Sequence, residues 1–197
     1  MSNNIKWLNE KKAQELAQLL LSEEYDTILV NSLEEAKEKI INSISPKEKV
    51  IVGDSMVLDQ LNIINELKDK SIYVYDYQSE KDFASREEIR RNGLLADTLI
   101  SEIDFVTSKG ELIVHGAFSN AAMLFGPNKI YGIIGINKIV KDIFEAEKKI
   151  EELKEAYSLN ENANQDKEIS NNLGIISHGK KFINKYTLFV VPTTVGF

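Results

Sequence analysis

Short runs of β-branched and aromatic residues alternate along this chain with segments of helical periodicity, and that alternation constrains the fold more than any other feature. "YDTILV" (25–30), "KVIVGD" (49–54) and "SIYVYDY" (71–77) read as strands, as do the run 130–136 and "YTLFVV" (186–191). Amphipathic patterns lie between them. Ala13, Leu16, Ala17 and Leu20 share one face of a helix over 5–22, and Leu33, Ala36 and Ile40 follow a capping box at Ser32 and Glu35. Val57, Leu61 and Ile64 mark a further helix, and a second capping box, "SREE" (85–88), opens one that ends near Gly93. Ile139, Ile143, Ala146, Ile150, Leu153 and Tyr157 predict a long helix directly after the strand at 130–136. Strands that take turns with helices build βαβ units, so an α/β fold is expected, a mostly parallel sheet with helices on both faces. Short strands around a turn at Ser108-Lys109-Gly110 predict a small antiparallel addition, with a short helix at 119–125. The polar stretch 158–172 reads as an exposed loop. With 197 residues, no internal repeat and no linker, a single domain over 1–197 is expected.

Composition narrows the function. A net charge of −7 argues against a nucleic-acid partner, which would need a basic patch. No run of about 18 apolar residues is present to span a membrane, and the polar start "MSNNIKWLNEKKAQE" does not read as a signal peptide. Cysteine is absent, so the chain can form no disulfide and hold no cysteine-ligated zinc or iron–sulfur centre. Two histidines, His115 and His178, give no metal-ligand spacing, and neither a metal nor a cofactor is expected. A cytoplasmic location fits these features.

Open α/β sheets bind ligands beyond the carboxyl ends of their strands, which points to three connections. At Gly53-Asp54-Ser55, Gly53 allows a close bend, and Asp54 suits either a helix N-cap or a ligand contact. At Gly135-Ile136-Asn137-Lys138, Gly135 permits a turn and Asn137 can cap the helix expected there. Lys138 is out of place in a first helical turn, because the helix dipole favours anions there. Something negative is therefore expected beside it, a carboxylate side chain or a substrate; a solvated lysine is the plainer alternative. The third connection is "ELIVHGAFSNAAMLFGP", where Gly116, Ser119 and Asn120 stand between a strand and a helix and can serve as caps or ligand contacts. Asp54, Glu111 and His115 are the candidate acid–base or nucleophilic groups. No phosphate-binding P-loop, dinucleotide fingerprint or Ser-His-Asp spacing occurs.

The order "VIVGDSMVLDQLNI", "SREEIRRNGLLAD", "KGELIVHG…SNAAMLFGPNKIYGIIGINKIVKDIFEAEKKI" and "YTLFVVPTTVGF" resembles the LUD domain family of lactate-utilisation protein C-like proteins, over about residues 5–197. Its most specific part is Ala121 to Ile150, supported by Gly53, Ser55 and Leu58 in a Gly-x-Ser-x-x-Leu pattern. The resemblance implies a fold like ribose-5-phosphate isomerase, glucosamine-6-phosphate deaminase and the coenzyme A transferases (NagB/RpiA/CoA transferase-like). It implies a bacterial role in oxidising lactate to pyruvate, beside iron–sulfur partner proteins. A small anionic metabolite would then bind at Gly53, Asp54, Ser55, Ser119, Asn120, Gly135, Asn137 and Lys138, with a homo-oligomer as a further expectation. An isomerase or acyl/CoA-transferase-like enzyme acting on a sugar phosphate or acyl-CoA is the alternative, and a non-catalytic structural subunit the third. The chain departs from the family where an arginine is expected and Asn120 stands, where Asn-Ala-Ile-Thr and Asp-Gly are common and "SEIDFVTSKG" stands, and in lacking the cysteines of many short members.

Overall fold

The computed structural model describes residues 3–159, 172–180 and 184–196. Its main body is a six-stranded, wholly parallel sheet in the order β1-β10-β7-β4-β2-β3. The strands are β1 (Asp26–Leu29), β2 (Lys49–Val52), β3 (Tyr73–Val74), β4 (Thr98–Glu102), β7 (Lys129–Gly135) and β10 (Tyr186–Val191). A smaller sheet, β8-β5-β6-β9, is made of β5 (Phe105–Thr107), β6 (Leu112–His115), β8 (Ile139–Val140) and β9 (Leu173–Ile176). Here β6 runs antiparallel to β5 and β9, and β8 runs parallel to β5.

The period of two in the central strands divides the core. Ile51, Leu99 and Leu188 point to one face of the large sheet, against Ala13, Leu16 and Leu20 of α1 (Asn3–Ser22) and Ala122 and Met123 of α6 (Ala117–Phe125). Val50, Val52, Ile100 and Phe189 point to the other. There they meet Ala36 and Ile40 of α2 (Leu33–Ser43), Val57 and Leu58 of α3 (Met56–Gln60), and Ile63 and Leu67 of α4 (Ile63–Asp69). A third cluster joins Ala146 and Ile150 of α7 (Ile143–Leu159) to Phe105, Ile113 and Val140 of the small sheet. The expected α/β layering with a small antiparallel addition is the observed one.

Several local expectations are corrected. Residues 57–64 form two helices, because Asn62 takes a left-handed backbone (φ 53°) between α3 and α4. The strand expected at 71–77 is only Tyr73–Val74; it pairs with β2 at the sheet edge and then leaves it. The cap of α5 (Phe83–Gly93) is Asp82, whose carboxylate accepts from the N–H of Ser85 at 2.9 Å, so "SREE" lies inside the helix. The short helix begins at Ala117 with Gly116 as its cap, and neither Ser119 nor Asn120 caps it.

The largest correction concerns residues 136–142. The helix expected immediately after β7 is displaced, because Ile139 and Val140 pair with Val106 and Thr107 of β5. Ile136–Lys138 forms a single 3-10 turn instead, and α7 begins at Ile143. Asp142 and Glu145 make its entry bonds, Asp142 accepting from the N–H of Glu145 at 3.0 Å and Glu145 from that of Lys141 at 2.7 Å. β9 was not expected. Of the polar stretch 158–172, residues 158 and 159 end α7, and 160–171 lie outside the described residues.

Candidate functional site

The carboxyl ends of β2, β4, β7 and β10 stand side by side, since β10, β7, β4 and β2 are successive neighbours in the sheet. Glu102, the last residue of β4, is the hub. Ser55 Oγ donates to Glu102 Oε2 at 2.5 Å, and Lys138 Nζ lies 2.7 Å from Glu102 Oε1. The lysine side chain is fully buried and that of Glu102 is 9% exposed. Three connections far apart in sequence, after β2, at the end of β4 and after β7, thus meet at one buried ion pair. The Ser55 hydroxyl also caps α3, accepting from the N–H of Val57 at 3.2 Å. Asp54 is therefore not the cap. It is exposed, and its carboxylate accepts from Nε2 of Gln78 at 3.1 Å.

The negative neighbour of Lys138 is a side chain. The dipole reasoning that singled the lysine out does not apply, because no helix starts there; the cause is burial, which an ammonium tolerates only beside a carboxylate. Asn137 caps no helix either. It clamps the segment after β10: Nδ2 donates to the carbonyl of Val195 at 3.0 Å, and Oδ1 accepts from its N–H at 2.9 Å. The N–H of Ile136 adds a bond to the carbonyl of Thr193 at 3.2 Å. This strap, 192–196, lies over the ion pair. A Cβ on Gly196 (φ 66°) would stand 2.5 Å from Glu102 Oε1, so backbone shape and space both require glycine. Gly135 is likewise in close contact with Val195.

Asp104, two residues beyond Glu102, extends the acidic group. Its Oδ2 accepts from the backbone N–H of His115 at 2.8 Å. Burial pushes its pKa up to about 7, with the Glu102 charge acting in the same direction; the His115 hydrogen bond and the Lys138 charge pull against it. A carboxyl poised near neutrality can take or give a proton at physiological pH.

The other expected residues divide. Gly53, Asp54, Ser55, Gly135, Asn137 and Lys138 gather at this rim, and His115 reaches it through its backbone. The His115 side chain lines a hollow of about 280 Å³ against Glu147, Ile150, Glu151 and Lys154 of α7. Asn120 packs on β9, with Oδ1 2.3 Å from where a Cβ on Gly174 would be. Ser119 is half-buried near Gly116. Glu111 stands at the opposite end of β6, where it accepts from the Thr107 hydroxyl at 2.8 Å, away from Glu102. Sequence reasoning missed Glu102 and Asp104. Two acids two apart, closing the apolar run "TLIS", were the available signal. Among the described residues no group of three or more histidine or acidic side chains could hold a metal ion, and no helix is long and apolar enough to cross a membrane.

The LUD domain family model matches residues 13–190. The chain belongs to the LUD domain family. The crystal structure of a DUF162 family protein from Deinococcus radiodurans superposes with a TM-score of 0.58 at 14% identity, covering 93% of this chain and 98% of that one, and shares the fold. Ribose 5-phosphate isomerase A from Methanocaldococcus jannaschii aligns at 14% identity over 57% of this chain and 55% of that one, with a TM-score of 0.37. Comparison with curated proteins finds no match.

Proposed function

We propose that this LUD-domain chain is a single cytoplasmic domain that binds a small anionic metabolite in a bacterial lactate-oxidation system, beside iron–sulfur redox partners. The supporting observation is the convergence of Ser55, Glu102 and Lys138 at the carboxyl ends of three strands. A buried ion pair is weak as a stabilising device, so its retention at the ligand-binding end of an α/β sheet favours a binding role. Because Glu102 already balances the lysine charge, the pair meets a ligand as a polarised, neutral couple, suited to a hydroxyl or carbonyl oxygen. Gly53, Asp54, Gly135 and Asn137 shape the rim, with Ser119 and Asn120 at its margin. A thermal-shift screen with lactate, sugar phosphates, acyl-coenzyme A and folates tests this reading, since a ligand specific to the native state raises Tm. No shift with any of them would favour the non-catalytic structural subunit.

One observation supports an enzyme of the isomerase or acyl-transferase kind: Asp104, with its pKa near 7, is placed beside Glu102. In that reading Asp104 moves the proton, and Lys138 with Ser55 fixes the position of the Glu102 carboxylate. Asp104→Asn should then abolish turnover and leave binding intact; equal loss of both would count against it.

A further inference from the structure

A second group of side chains adjoins the same rim on the β3–α5 side, and its polar atoms are incompletely satisfied. The Arg90 guanidinium lies 4.9 Å from the Phe118 ring centre and 5.5 Å from that of Tyr77, and the two rings are 5.4 Å apart. Nη1 of Arg90 is held by Glu87 at 2.7 Å. Nε of Arg90 and the hydroxyl of Tyr77 are buried and make no hydrogen bond of normal geometry among the described residues, although the Asp54 carboxylate and the Gln78 amide interact with the phenol. Tyr77 as a whole is 2% exposed. Both atoms are donors, and a buried donor left without a full hydrogen bond is unfavourable. Burial keeps the phenol protonated by raising its pKa, with the Asp54 charge adding to the effect.

We propose that Arg90 and Tyr77 form a carboxylate-binding subsite that takes a monoanion in preference to a phosphate dianion. With Nη1 engaged, the Nε edge of the guanidinium remains, and a planar carboxylate can accept from that edge and from a phenol at once. The two rings fix the plane of the fork. Glu87 and Asp54, both close by, add negative charge that a dianion would feel about twice as strongly as a monoanion. Gln78 ties this group to the end of β2, donating to the carbonyl of Gly53 at 3.3 Å and to Asp54 at 3.1 Å. The inference rests on the proposed metabolite-binding rim and names its substrate class: the ligand's carboxylate sits at Arg90 and its remaining oxygens face Ser55 and Glu102.

The test is NMR of the full chain labelled with 15N-arginine, following the Arg90 Nε–H signal during titration with L-lactate, acetate and inorganic phosphate at constant ionic strength. The expected result is a saturable shift with the two carboxylates and none with phosphate. Arg90→Lys and Tyr77→Phe, each checked for an unchanged amide spectrum, should weaken carboxylate binding about tenfold or more. A signal that no carboxylate moves, as for a donor satisfied by an internal water, would overturn the subsite. So would variants that bind like the wild type. Loss of lactate binding in Ser55→Ala alone, with both subsite variants unaffected, would overturn the subsite and leave the metabolite-binding rim standing. A thermal-shift response confined to phosphates would do the same.

Discussion

The two halves of the rim differ in how their polar groups are satisfied. On the β4–β7 side, the Lys138 and Glu102 charges face each other at 2.7 Å beside the strap, and Ser55 donates to the same carboxylate. On the β3–α5 side, the buried donors of Arg90 and Tyr77 lack a hydrogen bond of normal geometry among the described residues. Both halves use cations next to apolar surroundings, but the first closes on itself and the second is left open. A buried ion pair adds little net stability and yet is costly to break from one side, whereas an open group is expected to respond to a ligand.

The largest effect separating them should come from Glu102→Ala, which strands the buried Lys138 charge and should cost about 3–5 kcal/mol in denaturant unfolding. Replacing both residues by apolar ones of similar volume should recover most of that loss; a double variant as unstable as the single one would show that the pair is not the source.

Next comes the pH response of Asp104. Its folded pKa, about 7, stands above the unfolded value of about 3.9, so the folded state binds the proton more tightly. Its contribution to stability is full below pH 4 and is lost as pH rises through 7. Asp104→Asn should flatten that slope, a difference on the order of 2–4 kcal/mol between pH 4 and 8. An unchanged slope in urea melts would remove Asp104 from the buried acidic group.

Asn137→Ala deletes two hydrogen bonds to Val195 and should cost about 1–2 kcal/mol, with faster amide exchange at Val195 as the local sign. Ser55→Ala removes a cap and one partner of Glu102, for about 1 kcal/mol. Both lie in the closed half. Arg90→Lys, in the open half, should change stability least, because its ion pair with Glu87 is partly exposed; a loss above about 1 kcal/mol would mean that the open half is structural too.

The layered fold was legible in the sequence because period-two runs such as Val50-Ile51-Val52 place neighbouring residues on opposite faces, and the observed core divides there. Residues 136–142 were not legible. Their pattern fits a helix, and pairing of Ile139 and Val140 with β5, a long-range event, overrides it. The same limit applies to the site. Lys138 stood out as a cation in an expected first helical turn that does not form, yet its partner lies 36 positions earlier in the chain and only the sheet order brings them together. Arg90 and Phe118 carry no local sign of their association; α5 and α6 meet over Tyr77 through the fold alone.

As proposed, one rim holds the ligand between a closed and an open half. A crystal structure with bound L-lactate tests it most directly. Density is expected between Arg90 and Glu102, with the carboxylate on Arg90 and Tyr77. Density in the hollow between His115 and α7 instead, with the Arg90 side chain unoccupied and unmoved, would contradict it.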